Sequence, residues 1–206
     1  MSEGRRRRRV VPRRGEDRPS VPPERIEAGP VVLRRLTADD APALSAAAVA
    51  SLEHLRPWMP WATPEGVSVE TQRRRLGGPE GAWTPSSGYQ YGMFLAGGEL
   101  VGACGLHRRI GPSALEIGYW VHVEHVRRGF ATAAAGALTA AGFGVRGVQR
   151  MEIQCDEANA ASAAVPPRLG YRLAGRVAHA VEAPGEVGTR LVWVLYRRAW
   201  EAARPR

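Results

Sequence analysis

One stretch constrains this chain more than any other: two strand-like runs separated by a glycine-broken basic turn and an alanine-rich segment. ALEIGYWVHV (114–123) alternates Glu116, Gly118, Trp120 and His122 with Ile117, Tyr119, Val121 and Val123. Period two gives that strand one apolar face and one mixed face. HVRRGFAT follows, small helix formers continue to about residue 143, and VQRMEIQCD (148–156) again reads as a strand. A β–α–β unit over 114–156 commits the chain to a mixed α/β sheet covered by helices.

The flanking sequence extends that sheet. PVVLRRL (30–36) is β-rich, and Thr37 or Asp39 offers an N-cap to a helix in DDAPALSAAAVASL. SLEHLRPWMPWATPEG mixes helix with prolines and two tryptophans, and SVETQRRRLGG (68–78) reads as a short helix stopped by glycines. YQYGMFLA (89–96) and ELVGACGLHRR (99–109) flank Gly97-Gly98, a hairpin signal. NAASAAVPPRLGY begins as a helix, and YRLAGRVAHAV (171–181) and GTRLVWVLYRR (188–198) are the last two strands. No internal repeat or coiled-coil heptad interrupts the series.

Length and charge narrow the function classes. At 206 residues the chain suits one sizeable core. No run of 18 apolar residues predicts a membrane span, and the basic N-terminus lacks the apolar segment of a secretory signal. Cys104 and Cys155 have no paired metal-ligand spacing and read as reduced thiols of a cytoplasmic protein. None of the five histidines has metal-site spacing, so no metal is expected. The net charge of +9 is uneven: residues 1–25 carry nine arginines against four acids. Residues 1–28 are expected to be a disordered Arg/Pro-rich tail, and 29–206 a single domain. The tail is either solvated or makes weak RNA or ribosome contacts through phosphates.

The turn itself carries chemistry. A helix N-terminus presents unpaired N–H groups and a partial positive charge, a ready anion site. Arg127 and Arg128 add charge, Gly129 allows close backbone approach, and Ala131 and Thr132 are small. Those residue types after a strand point to a phosphate or pyrophosphate.

VRRGFAT resembles the Arg/Gln-x-x-Gly-x-Gly/Ala acetyl-CoA loop of GNAT-type N-acetyltransferases, and the resemblance spans about residues 30–198. LRRLTADDAPAL is similar to that family's first strand and helix, and EHLRPWMPW to the substrate-side segment of its RimJ/RimL branch. EIGYWVH with RRGFATAAAGALTAAGF is similar to the fourth strand and pyrophosphate helix. MEIQCDEANAASAAV with RLGYRLAGR is similar to the fifth strand and the Asn-x-x-Ser helix. The resemblance implies a mostly antiparallel seven-stranded sheet with a splayed central strand pair. It implies acetyl-CoA as co-substrate, pantetheine along Trp120, Val121, His122 and Val123, and pyrophosphate on Arg127, Arg128, Gly129, Phe130, Ala131 and Thr132. Asn159 and Ser162 fall at the thiol end, with Ser162 the candidate acid for the thiolate. Glu116 is the candidate base for the amine, although the strand pattern alone equally makes it a solvent-face residue. Trp58, Trp61 and Tyr119 would line the acceptor side; the two tryptophans read equally as a clamp on the core.

The implied function is direct acetyl transfer to a primary amine, a protein N-terminus or a small aminated metabolite, by a monomer or homodimer without membrane contact. Two departures stand out. Val126 occupies the loop position where the family has Arg or Gln. Pro166-Pro167 interrupt the Asn-x-x-Ser helix, and one interior proline costs ~3 kcal/mol, so the helix is expected to end near Ala164 or kink. These prolines and the arginine tail motivate an alternative, an inactive acyl-CoA-binding or RNA-associated module of the same fold.

Overall fold

The computed structural model describes residues 20–203. The expected disordered tail lies outside the described residues for positions 1–19. Eight strands form one sheet: β1 (Arg25–Ala28), β2 (Val31–Arg35), β3 (Tyr89–Phe94), β4 (Leu100–His107), β5 (Ala114–Val121), β6 (Arg150–Asp156), β7 (Arg172–Ala178) and β8 (Thr189–Tyr196). Their spatial order is β1-β2-β3-β4-β5-β6-β8-β7. All neighbours are antiparallel except β5 and β6, which run parallel as the β–α–β reading requires. The helices are α1 (Ala41–Ala50), α2 (Leu52–Leu55), α3 (Val69–Gly77), α4 (Phe130–Gly144), α5 (Ala160–Ala163), α6 (Val165–Arg168) and α7 (Arg197–Ala202).

The mixed, mostly antiparallel sheet is as expected, with eight strands instead of seven. The extra strand is β1, so residues 25–28 belong to the sheet and not to the tail. RIEA is charged because it lies at an edge, where charged side chains are tolerated. Three contacts hold it: Arg35 N donates to Glu24 O at 2.7 Å, Arg35 pairs with the Glu24 carboxylate at 2.7 Å, and Tyr91 Oη donates to Pro23 O at 2.7 Å.

The core lies between the sheet and α4. Leu115, Ile117, Met151 and Ile153 of the central strands meet Ala134, Ala135, Leu138 and Phe143 of α4, all essentially inaccessible to solvent. The alanines of α4 let it lie close, and its Thr139 hydroxyl sits 2.7 Å from Tyr171 Oη. That bond and burial make Tyr171 a packing residue. On the opposite face α1 and α3 cover Leu36, Phe94, Ala103 and Trp120. Ser68 caps α3 by accepting Thr71 N at 3.3 Å.

Two features of the sheet shape the site. β5 and β6 pair from Ala114–Arg150 to Ile117–Ile153 and then part. β5 continues to Val121 against β4, and β6 to Asp156 against β8, so the splayed central pair is present. The second feature is the loop joining β7 to β8. Asp156 accepts Val187 N at 3.1 Å, Gly188 N at 3.0 Å and Ala158 N at 2.9 Å, and its other neighbour is His179 Nε2 at 3.0 Å. Burial pushes the Asp156 carboxyl up, but these hydrogen bonds outweigh it and hold it below the usual carboxylate range. A depressed carboxyl contributes stability that is present above its unfolded value, ordinarily 3.8, and lost as pH falls through the lower folded value. Asp156→Asn should therefore lower stability by about 2 kcal/mol at pH 7. In urea titrations the gap from the parent should close as the pH is taken below 3.8.

Candidate active site

The gap between β5 and β6 is spanned by side chains. Asn159 caps α5, its Oδ1 accepting Ser162 N at 3.0 Å, which fixes the first turn opposite β5. Tyr119 reaches across from β5: its hydroxyl donates to Ser162 O at 3.2 Å and lies 3.2 Å from Ser162 Oγ. Burial pushes the Tyr119 phenol up to about 12, so it keeps its proton at neutral pH. Burial likewise raises the Cys155 thiol beside Ser162.

On one side of this hydroxyl pair lies a cavity of about 490 Å³. Its far end is the turn before α4. Arg127 (φ 63°) and Gly129 (φ 81°) are both left-handed, which turns successive backbone N–H groups toward one concavity. Gly129 is the N-cap of α4, no side chain caps that end, and the first turn holds no acid. The first-turn N–H groups of this 15-residue helix and its dipole therefore face the cavity without an internal anion. Arg127, Gly129, Phe130, Ala131 and Thr132 line this end, and Trp120, Val121, Asn159 and Ser162 the other.

Three expected cofactor residues, His122, Val123 and Arg128, do not line that cavity with their side chains. His122 Nδ1 accepts Glu124 N at 3.2 Å, and its own N–H donates to Val101 O at 2.8 Å. Val123 N donates to Ser51 Oγ at 3.0 Å. The Arg128 guanidinium donates to Glu124 O at 3.2 Å. The cavity is also lined by residues that sequence reasoning did not single out, notably His54, Met59, His125 and Arg168. Arg168 was visible only as part of the proline interruption. The interruption is resolved by ending α5 at Ala163 and starting α6 at Val165. Pro166 and Pro167 then occupy the first turn of a helix, where a missing N–H costs no hydrogen bond.

On the other side of the pair lies a cavity of about 510 Å³. Trp58, Met59, Pro60 and Trp61 form one wall, and Tyr119, Glu116 and Asp156 the floor. Trp58 faces both cavities, so the expected aromatic lining is found at the junction. Trp61 also packs on Trp120 at 6.1 Å between ring centroids, so the clamp reading holds for it as well. The β7–β8 loop closes the far side with Glu182 and Glu186. It docks through Gly185, whose N–H donates to Pro57 O at 2.9 Å. A Cβ at Gly185 would stand 2.7 Å from Pro57 O and from Pro57 Cβ, so only glycine allows this approach. Four acids against Arg109 and Arg190 give the cavity an acidic wall.

Glu116 lies in that wall, but both its oxygens are taken. Arg109 Nε and Nη2 donate to them at 2.7 and 2.5 Å. The pairing holds the Arg109 guanidinium above its usual range. A third cavity of about 260 Å³ lies under α1 and α3 and shares Met59, Trp61, Arg109, Gly118 and Tyr119 with the acidic one. Among the described residues no cluster of His, Cys, Asp or Glu is placed to hold a metal ion. No helix there is long and apolar enough to cross a membrane.

Comparison with known proteins agrees with this fold. The sequence profile of the acetyltransferase (GNAT) domain matches residues 31–172. The Bacillus subtilis (strain 168) protein YdaF, whose name provisionally assigns it as a ribosomal N-acetyltransferase, is 27% identical over 176 residues, 84% of this chain and 95% of its own. Mycobacterium smegmatis RimJ, solved in complex with CoA-disulfide, superposes with a TM-score of 0.73 at 25% identity, covering 87% of each chain. The ribosomal-protein-S5-alanine acetyltransferase of Vibrio fischeri shares the fold, with a TM-score of 0.75 at 17% identity over 88% of this chain and 99% of that one. The chain belongs to the GNAT family of N-acetyltransferases.

Proposed function

We propose that this protein moves an acetyl group from acetyl-CoA to a primary amine by direct attack, and that the amine is a protein N-terminus. The observation that carries this reading is that two cavities meet at the Tyr119–Ser162 hydroxyl pair, one ending in a helix N-terminus and the other walled by acids. The residues fit the co-substrate. Backbone N–H groups of Arg127 to Thr132 would hold its pyrophosphate, Trp120 and Val121 its pantetheine arm, and Asn159 and Ser162 its thiol end. When bound, acetyl-CoA supplies the activated acyl group as a thioester. The acidic wall formed with Glu116, Asp156, Glu182 and Glu186 favours an ammonium-bearing acceptor.

The relatives named for ribosomal proteins support a protein N-terminus over a small aminated metabolite. Both cysteines are free thiols, which suits the cytoplasm. The inactive-module alternative drew on Pro166-Pro167 and on the arginine tail; the place of the prolines at the start of α6 counts against the first of these. In the proposed reaction Tyr119 and Ser162 give a proton or hydrogen bond to the departing thiolate. No enzyme-bound acyl group is needed, since the amine attacks the thioester itself.

Calorimetry on the full chain should show micromolar acetyl-CoA binding. Gly129→Glu, which forces a side chain and a negative charge onto a left-handed N-cap, should weaken that binding at least tenfold. Tyr119→Phe combined with Ser162→Ala should lower kcat about 100-fold while leaving the acetyl-CoA dissociation constant within threefold of the parent. Gly185→Val should break the loop contact with Pro57. It should raise KM for an alanine-initiated peptide about tenfold without changing acetyl-CoA binding.

A further inference from the structure

A histidine not assigned any role lines the third cavity, on the same face of the sheet as Glu116. His107 ends β4 and pairs in register with Glu116. Gly105 lies two residues before it on the same face, and Gly118 is the partner of Gly105 on β5. A Cβ at Gly105 would stand 3.2 Å from His107 Nε2, and one at Gly118 would stand 3.5 Å from it. The ring therefore lies over two adjacent glycines, and its Nε2 edge reaches the residue before Tyr119, where β5 begins to leave β6. Among the described residues the His107 imidazole makes no hydrogen bond to protein, and it opens into the cavity that shares Gly118, Tyr119 and Arg109 with the acidic one.

Resting on the acetyl-transfer reading above, we propose that the His107 imidazole, and not the Glu116 carboxylate, takes the proton from the acceptor ammonium. The two groups sit side by side on one face, but Glu116 is engaged on both oxygens by Arg109, whereas the imidazole has no hydrogen-bond partner among the described residues. His107 Nε2 accepts one ammonium proton. The neutral amine forms its C–N bond at the thioester carbonyl as the C–S bond breaks. The second amine proton passes to the leaving sulfur through the Tyr119–Ser162 pair, and His107 returns its proton to water. The products are the amide, the free thiol and one proton.

The groups around His107 keep it neutral. Burial lowers its pKa below the ordinary 6.5, Arg109 and Arg75 lower it further, and Glu116 opposes them. Arg75 of α3 is itself paired with Glu80 at 3.1 Å, which leaves the ion-paired Glu116 as the carboxylate beside the ring.

Two measurements on the full chain test the inference. With acetyl-CoA and an alanine-initiated hexapeptide, kcat of the parent should rise with pH through a limb at or below 6.5. His107→Asn, and His107→Gln as a second variant, should lower kcat about 100-fold and remove that limb. Acetyl-CoA binding by calorimetry should be unchanged, while Glu27→Gln, on the exposed edge strand, should keep both rate and limb. A parent that binds acetyl-CoA and transfers, with His107 variants that keep both rate and limb, overturns this inference and leaves the acetyl-transfer reading standing. A parent that does not bind acetyl-CoA overturns both. The second measurement needs no acceptor. The His107 ring resonance, assigned by its loss in His107→Asn, should titrate below 6.5, and titration above that value overturns the inference.

Discussion

Beyond Ile117 and Ile153 the two central strands stop hydrogen bonding to each other, and the rest of the molecule is organised around that interruption. Buried backbone polar groups must find partners. Gly118–Val121 keeps β4 on one side and Gln154–Asp156 keeps β8, so each strand stays rigid while the edges facing each other are released from the ladder. Continuous sheet on both flanks makes the gap a fixed slot and not a frayed end. The crossover helix α4 lies under the slot's mouth because a parallel pair requires such a connection. Its N-terminus therefore arrives where the strands diverge. The same constraint places an anion-binding helix end, released strand edges and a capped turn carrying Ser162 around one space.

The two sides of that space differ in chemistry because different parts of the chain build them. The α4 side is made of backbone, small residues and one left-handed arginine, suited to a phosphate chain that approaches main-chain atoms closely. The other side is made of aromatic and charged side chains from the α2–α3 connection and the β7–β8 loop. Their contact depends on Gly185 fitting against Pro57, and the loop itself depends on Asp156. Asp156 is thus a structural anchor within the acceptor wall: its oxygens are occupied by the chain that closes the cavity.

Much of this was legible in the sequence, for identifiable reasons. The β–α–β unit, the Gly97-Gly98 hairpin and the glycine turn before α4 are short-range patterns, set by period-two alternation and by backbone freedom at particular positions. Asn159 and Ser162 were legible only through resemblance to the Asn-x-x-Ser pattern, which in the structure is a helix cap and its third residue. What was missed is long-range or context-bound. β1 reads as tail because an edge strand beside Pro22-Pro23 needs few apolar residues. The amides of His122 and Val123 read as strand backbone beside the site, and only the structure shows them held by Val101 and Ser51. Glu116 looked like a free carboxylate because Arg109, across a hairpin turn, shows no helical or strand-like spacing to it. The two prolines looked disruptive because sequence alone does not reveal that one helix ends and another begins at Ala164.

The central claim is that the parted strands, the α4 N-terminus and the α5 turn form one acetyl-CoA site. Hydrogen exchange of the full chain, with and without CoA, tests it most directly because it reads the backbone amides themselves. The account predicts slowed exchange concentrated at residues 118–121, 127–132 and 159–162, with little change in β1, β7 and α7. Protection absent from the 127–132 segment, or spread evenly over the sheet, would contradict it.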